Sequence, residues 1–149
     1  MMAFWLNACV NLRLSEQELK EQGISYLFLD PSNFDAEMEK RNLGYKHHDI
    51  VELNSNTPNL DILLSKFRRE HFHRDDESRY VLDGDGFFDI RSLDDRWIRI
   101  SVTDGDYISI PAFRYHKFEL TQIERIKAVR FFKDDHSWEP IYRGEQNGK

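Results

Sequence analysis

From His71 onward the chain runs in short alternating stretches punctuated by Asp-Gly pairs, and that cadence allows few folds. Residues 79–82 meet Asp83-Gly84, residues 86–91 follow, and residues 96–102 alternate as Trp97, Ile98, Arg99, Ile100, Ser101, Val102. Asp104-Gly105 leads into 107–110, with further runs at 115–120 and 126–132. A period of two marks strands with one buried face, and Asp-Gly is a favoured hairpin turn. Several short strands at close spacing predict a sandwich or barrel. The length, 149 residues, suits one domain over 1–149. Its parts are a helix-rich region of about 1–69, a barrel core of about 70–133 and a flexible polar tail of about 144–149.

The first third has a different texture. Ser15 with Glu18 three residues on is a capping-box pattern, and Gly23 supplies a stop. Residues 26–29, ended by Asp30-Pro31, predict a short strand, and 34–42, closed by Gly44, a second helix. Residues 50–53 predict another strand. Thr57-Pro58 opens a third helix, with Thr as cap and Pro at the first position. Leu60, Leu63, Leu64 and Phe67 then repeat as one buried stripe.

The formal net charge of −6 repels a phosphate backbone, so nucleic acid is not an expected partner. The basic run Lys66-Phe67-Arg68-Arg69 reads as the solvated end of a helix. No apolar run approaches the ~20 residues of a membrane helix, so no membrane span is expected. Residues 1–10 are apolar but lack a basic leading segment, so they do not read as a signal peptide. One cysteine, Cys9, permits no internal disulfide framework and reads as a small buried residue. A reducing compartment, the cytoplasm, is the expected location. With no apolar seam in view, a monomer is expected.

The chemistry concentrates in His71-Phe72-His73-Arg74-Asp75-Asp76-Glu77. In a strand, residues i and i+2 share a face, so His71 and His73 present two imidazoles side by side. Phe72 between them faces the other way. A turn through 74–76 returns Glu77 to the same face, and His116 is the obvious fourth donor. Two imidazoles and a carboxylate are the ligand set of non-haem Fe(II). A third imidazole still leaves two positions of an octahedral ion for a chelating substrate and dioxygen. Ligand bonds of about 2.0–2.2 Å are expected.

His71-x-His73, Glu77 four residues on and Gly84 seven further resemble the first motif of the cupins, and Gly105, Pro111 and His116 resemble the second. Within that class, Glu70-His71-Phe72-His73, Glu77-Ser78-Arg79-Tyr80, Trp97-Ile98-Arg99, Tyr115-His116-Lys117-Phe118, Lys127-Ala128-Val129-Arg130 and Trp138 resemble the acireductone dioxygenase family. The resemblance spans about 14–143 and is dense over 70–130. It implies a mainly β, jelly-roll-like cupin barrel with a helical N-terminal layer. It implies one Fe(II) or Ni(II) per chain on His71, His73, Glu77 and His116, with Arg79 and Arg130 near the substrate. The partners implied are an acireductone of methionine salvage and dioxygen. The implied products are 4-methylthio-2-oxobutanoate and formate with Fe(II), or methylthiopropionate, formate and CO with Ni(II). A nuclear share beside the cytoplasm is implied only in this way.

The chain departs from the pattern at several points. Phe113 stands where the second motif has Gly, a residue that permits unusual backbone angles. Ser65 and Leu120 replace a Gly and an Asn of the general cupin motifs, and Asp134-Asp135-His136-Ser137 replaces a Gly-Glu-Pro-like turn. The short N-terminus lacks the expected Pro-His stretch. Two alternatives stay open. One is a cupin oxygenase or isomerase with another substrate. The other is a non-catalytic metal-binding cupin acting as a partner-binding protein, which Phe113 and the altered loops favour.

Several residues have plainer readings. His47-His48 reads as a surface pair, His136 as solvated, and Asp75 and Asp76 as turn formers. Arg79 and Arg130 have a structural reading beside the functional one, as ion pairs with an acid such as Glu70. Phe88, Ile100, Phe118 and Phe131 read as core or cavity wall.

Overall fold

The computed structural model describes residues 1–6, 12–35, 45, 47–132 and 139–144. Among them the strands are β1 (Met2–Trp5), β2 (Ser25–Phe28), β3 (His47–Leu53), β4 (His71–Phe72), β5 (Glu77–Arg91), β6 (Trp97–Thr103), β7 (Asp106–Ile110), β8 (His116–Leu120), β9 (Ile126–Phe132) and β10 (Ile141–Tyr142). Two α-helices accompany them, α1 (Glu16–Glu21) and α2 (Leu60–Arg68), with a 3-10 turn at Pro31–Asn33.

The 15-residue β5 organises the fold. Its first half pairs with β7 and β9, its second half with β6 and β8, all antiparallel. One sheet therefore runs β1-β6-β5-β8-β4-β10, and the other runs β2-β7-β5-β9-β3. The crossover lies at Asp83-Gly84, which the sequence reading takes for a hairpin turn. The structure corrects this: the pair sits inside a continuous strand, at a bulge between Val81 and Asp83. Gly84 has φ +81°, and a Cβ there would lie 2.2 Å from the Arg125 carbonyl oxygen. A Cβ on Gly86 would lie 2.6 Å from the Phe118 ring. The two glycines thus let β5 bend from one sheet into the other, where a side chain would collide. Asp104-Gly105 does turn the chain, with Gly105 at φ +87°, but the strands it joins, β6 and β7, pair with β5 in different sheets and not with each other, so it is a turn between sheets and not a hairpin.

The core fills the space between the sheets. Ile98, Ile100 and Val102 of β6, Phe88 and Ile90 of β5, Ile108 and Ile110 of β7 and Ile126 of β9 belong to one buried cluster. Each fully buried Ile contributes about 1.5–3 kcal/mol relative to exposure. The outer face of the β2-β7-β5-β9-β3 sheet is also covered. There Tyr80, Tyr107, Val129 and Phe131 pack with Leu27, Leu29, Phe34 and Tyr45 of the N-terminal layer. That second cover explains why β7 is buried on both faces instead of alternating.

The N-terminal layer follows the sequence in part. Ser15 and Glu18 form the capping box, each side chain 3.1 Å from the other's backbone nitrogen. The stripe Leu60, Leu63, Leu64 and Phe67 packs on the core, with Leu64 buried. The expected start of α2 is wrong by two residues: Pro58 precedes the helix, and Asn59 at φ +56° stands at its cap. Thr57 does not cap because its Oγ1 accepts from the Asn54 nitrogen at 2.9 Å, closing a turn. β1, with no counterpart in the sequence reading, joins β6 as an edge strand. Most of the helix expected over 34–42, Cys9, the 134–138 segment and the tail beyond Gly144 lie outside the described residues. No helix among the described residues is long and apolar enough to cross a membrane.

Candidate metal centre

Three imidazoles converge where β4, the loop after it and β8 meet. His71 lies opposite His116 in the β4–β8 ladder, and His116 opposite Ile90 of β5. Ring centroids are 4.5 Å apart for His71 and His116, 5.0 Å for His71 and His73, and 5.5 Å for His73 and His116. One donor atom from each of the three lies within 4.8 Å of the other two. Glu77, the first residue of β5, brings its carboxylate against two of them: Oε2 is 2.8 Å from His116 Nε2 and Oε1 is 3.3 Å from His73 Nε2. The four predicted ligand residues are thus brought together.

The donor set fits a metal ion. His71 Nδ1 lies 2.7 Å from the Arg69 carbonyl and His116 Nδ1 lies 2.9 Å from the Arg114 carbonyl. A carbonyl only accepts, so each Nδ1 carries the proton and each Nε2 lone pair is free to bind a metal. His116 Nε2 and His73 Nδ1 are buried with no hydrogen-bond partner among the described residues. Glu77 Oε2, 2.8 Å from His116 Nε2, stands against that nitrogen as its charge partner. Buried nitrogens left unsatisfied are costly unless something else engages them.

The electrostatics push the donors in opposite directions. Burial pushes the His71 imidazole down to about 4, assisted by His116. Burial also opposes charge on His116, but the Glu77 carboxylate outweighs it and raises the pKa above the ordinary value. Burial opposes charge on Glu77 too, yet Arg79 and the two histidines hold its carboxyl well below the usual range. Glu77 is therefore an anion ready to bind a cation.

Arg79 and Arg130 stand opposite each other in the β5–β9 ladder. Arg79 Nη2 donates to Glu77 Oε1 at 2.8 Å, and burial lowers its pKa from the ordinary value. Arg130 grips Asp49 of β3 through Nε and Nη2 at 2.7 and 2.5 Å. The expected structural partner, Glu70, instead binds Arg91 and Arg143. Both arginines line a recess between the two sheets together with His71, Glu77 and His116. It encloses about 610 Å³ of space between atoms, its open mouth included. Its remaining walls are apolar and include Val51, Leu53, Phe67, Phe88 and Phe118.

Phe72 turns away from the imidazoles onto Phe113 and Tyr115. Phe113 takes φ +63°, the left-handed conformation a Gly adopts without strain; it is 64% exposed, its ring lies against Phe72, and it is not among the residues that line the recess. Its nitrogen donates to the His73 carbonyl at 2.8 Å. Asp76 is more than a turn former: its Oδ1 accepts from the Ala112 nitrogen at 2.9 Å, tying the ligand loop to the loop before His116. His47 and His48 are exposed. Arg68 pairs with Glu119 at 2.6 Å, while Arg69 stacks on Tyr142. The sequence reading misses Asp49 as a partner of Arg130 and misses Val51 and Leu53 as recess wall. Their alternation in β3 was the available signal.

Comparison with known proteins points one way. Residues 10–140 match the model of the ARD/ARD' family. A protein of Heterostelium pallidum called acireductone dioxygenase is 42% identical over 138 residues, which is 91% of this chain and 94% of that protein. The acireductone dioxygenase of Gallus gallus is 38% identical over 86% of this chain and 74% of that protein. Among solved structures, the acireductone dioxygenase from Bacillus anthracis with a cadmium ion in its active centre superposes with a TM-score of 0.86. The two are 30% identical, over 95% of this chain and 98% of the other.

Proposed function

Because this chain belongs to the ARD/ARD' family, we propose that it cleaves an acireductone with dioxygen at one Fe(II) or Ni(II) ion held by His71, His73, Glu77 and His116. The enzyme is an acireductone dioxygenase of cupin fold. The observation that carries the site is the convergence of three imidazole donors within 4.8 Å, with the anionic Glu77 against two of them.

When bound, the ion supplies a template and Lewis acid for a chelating enediol. The chain's own residues do the rest. The Nδ1 bonds of His71 and His116 to backbone carbonyls fix which nitrogen each ring presents. Arg79 and Arg130, always charged, offset the negative charge of a deprotonated enediol in the recess. The apolar wall from Val51 to Phe118 seats an apolar chain and keeps water from the reacting end. Arg79 shares its charge with Glu77, so it tunes both the ligand and the substrate side.

On this reading the acireductone carries a methylthio tail and belongs to methionine salvage. Fe(II) leads to the keto acid and formate, and Ni(II) to methylthiopropionate, formate and CO. The partners are that small molecule and dioxygen, and the protein acts as a cytoplasmic monomer with a nuclear share. Of the features that favour the non-catalytic alternative, Phe113 is not among the residues that line the recess, and the altered loop over 134–137 lies outside the described residues.

The test is the decay of acireductone absorbance in air, with the protein reconstituted separately with each metal. Rapid decay is expected with both, with CO evolved only with nickel. Absence of decay from protein with metal demonstrably bound overturns the reading.

A further inference from the structure

Arg130 faces a choice that its neighbours decide. It lies across β5–β9 from Arg79, a second guanidinium on the same recess wall. Like charges directly opposite in a ladder repel, and a long, flexible arginine at 31% exposure has solvent to escape into. On its other side, across β3–β9, the register sets Asp49 directly beside it. The carboxylate takes Nε and Nη2 together, at 2.7 and 2.5 Å, a two-point grip that fixes the plane of the guanidinium as well as its place. The row Asp49, Arg130, Arg79 thus crosses three strands. Asp49 does not line the recess, whereas Arg130 does.

We propose that Asp49 is a positioning residue, which holds the Arg130 guanidinium in the recess against repulsion from Arg79 so that it can receive an anionic substrate. The inference rests on the reading of this recess as the acireductone site. Asp49 touches neither the imidazole cluster nor the reacting atoms; its hydrogen bonds go to Arg130, and it reaches Arg79 only through space. It should therefore govern how tightly the enediolate binds, and leave the reaction at the cluster alone. Its own carboxyl is held below the ordinary range, first by the Arg130 hydrogen bonds, so the grip persists through neutral pH.

The experiment compares Asp49→Asn, Arg130→Gln, the double variant and Asp49→Glu with the unaltered holoenzyme. Asp49→Asn keeps the shape and removes the charge. A partly exposed ion pair of this kind amounts to about a fivefold change in affinity. KM is expected to rise by about that factor, with kcat within about twofold and metal content unchanged. In the Arg130→Gln background, Asp49→Asn should add less than about twofold, because the residue it holds is gone and only its through-space attraction to Arg79 remains. Asp49→Glu should restore part of the loss.

A readout independent of turnover follows the Arg130 Nε–H signal in a nitrogen-15 correlation spectrum, assigned through Arg130→Gln. It should be sharp and protected from exchange in the unaltered protein, and lost in Asp49→Asn. Turnover by the unaltered enzyme with an unchanged KM in Asp49→Asn overturns this proposal alone. The same holds if Asp49→Asn raises KM equally in the Arg130→Gln background. An unaltered holoenzyme that leaves acireductone intact overturns the functional reading, and this proposal with it.

Discussion

His71 and His116 face each other across the β4–β8 ladder with ring centroids 4.5 Å apart, and each ties its Nδ1 to the carbonyl two residues before it. The same local device thus acts twice, once on each strand. It aims two nitrogen lone pairs at one point without help from the rest of the chain. Ligand removal tests it directly. His116→Ala should reduce bound metal to under about a tenth of an ion per chain and activity by at least about 100-fold, since even outer partners of ligands affect binding 10–100-fold. His47→Ala, at an exposed position, serves as the control. Metal content is read by elemental analysis, and full occupancy in His116→Ala would refute the ligand assignment.

Phe113 carries a left-handed backbone without being glycine. Relief of that conformation is worth about 1–2 kcal/mol, opposed by about 0.5–1 kcal/mol of added glycine entropy and by the lost contact with Phe72. Phe113→Gly should therefore shift Tm by less than about 3 °C. Because Phe113 is not among the residues that line the recess, kcat/KM should stay within about twofold. A tenfold rise in kcat/KM would mean that the ring obstructs the recess after all.

Gly84 tests the strand crossover. Alanine there combines φ +81° with a Cβ 2.2 Å from the Arg125 carbonyl oxygen, a backbone atom that cannot yield cheaply. Gly84→Ala should cost about 3 kcal/mol, or roughly 6–12 °C in Tm. Gly144→Ala has a similar φ but nothing within 4 Å, so it should cost only about 1 kcal/mol. Equal melting temperatures for the two variants would dismiss the steric account of the bend.

Glu70 gives the fold a pH dependence. Burial raises its pKa, but hydrogen bonds from Arg91 and Arg143 prevail and lower it below the ordinary 4.5. A carboxyl lowered in the folded state adds stability that is fully present above its unfolded value. That stability is lost as pH falls through the folded one. The Tm difference between the unaltered protein and Glu70→Gln should thus be constant from neutral pH down to about 5.5 and shrink below about 4.5. A difference that grows on acidification would reverse the sign and refute the assignment.

Much of the site was legible because its ligands are local. His71, His73 and Glu77 need only a strand, a turn and a second strand, and each of those is written in neighbouring residues. His116 follows Pro111 at a spacing that matches a known motif. The Asp83-Gly84 pair was misread because its two residues suit a hairpin turn and a bulged bend equally well. What separates them is Arg125, 41 positions on, whose carbonyl lies where a side chain at Gly84 would go. Thr57 was misread for a related reason, since a threonine caps a helix or closes a turn according to which backbone nitrogen reaches it first.

The sequence by itself determined the strand periodicity, the donor types and the local geometry that puts three ligands on one face. Those depend on side-chain alternation and on neighbours a few residues away. Only the tertiary structure decided which distant charges meet. Arg130 and Asp49 are 81 positions apart, yet the β3–β9 register makes them adjacent, and the β5–β9 register sets Arg79 on the other side. Pairing over such distances follows from how two sheets share one bent strand around a single core. No local pattern encodes that choice, because it is made by the burial of the whole apolar surface at once.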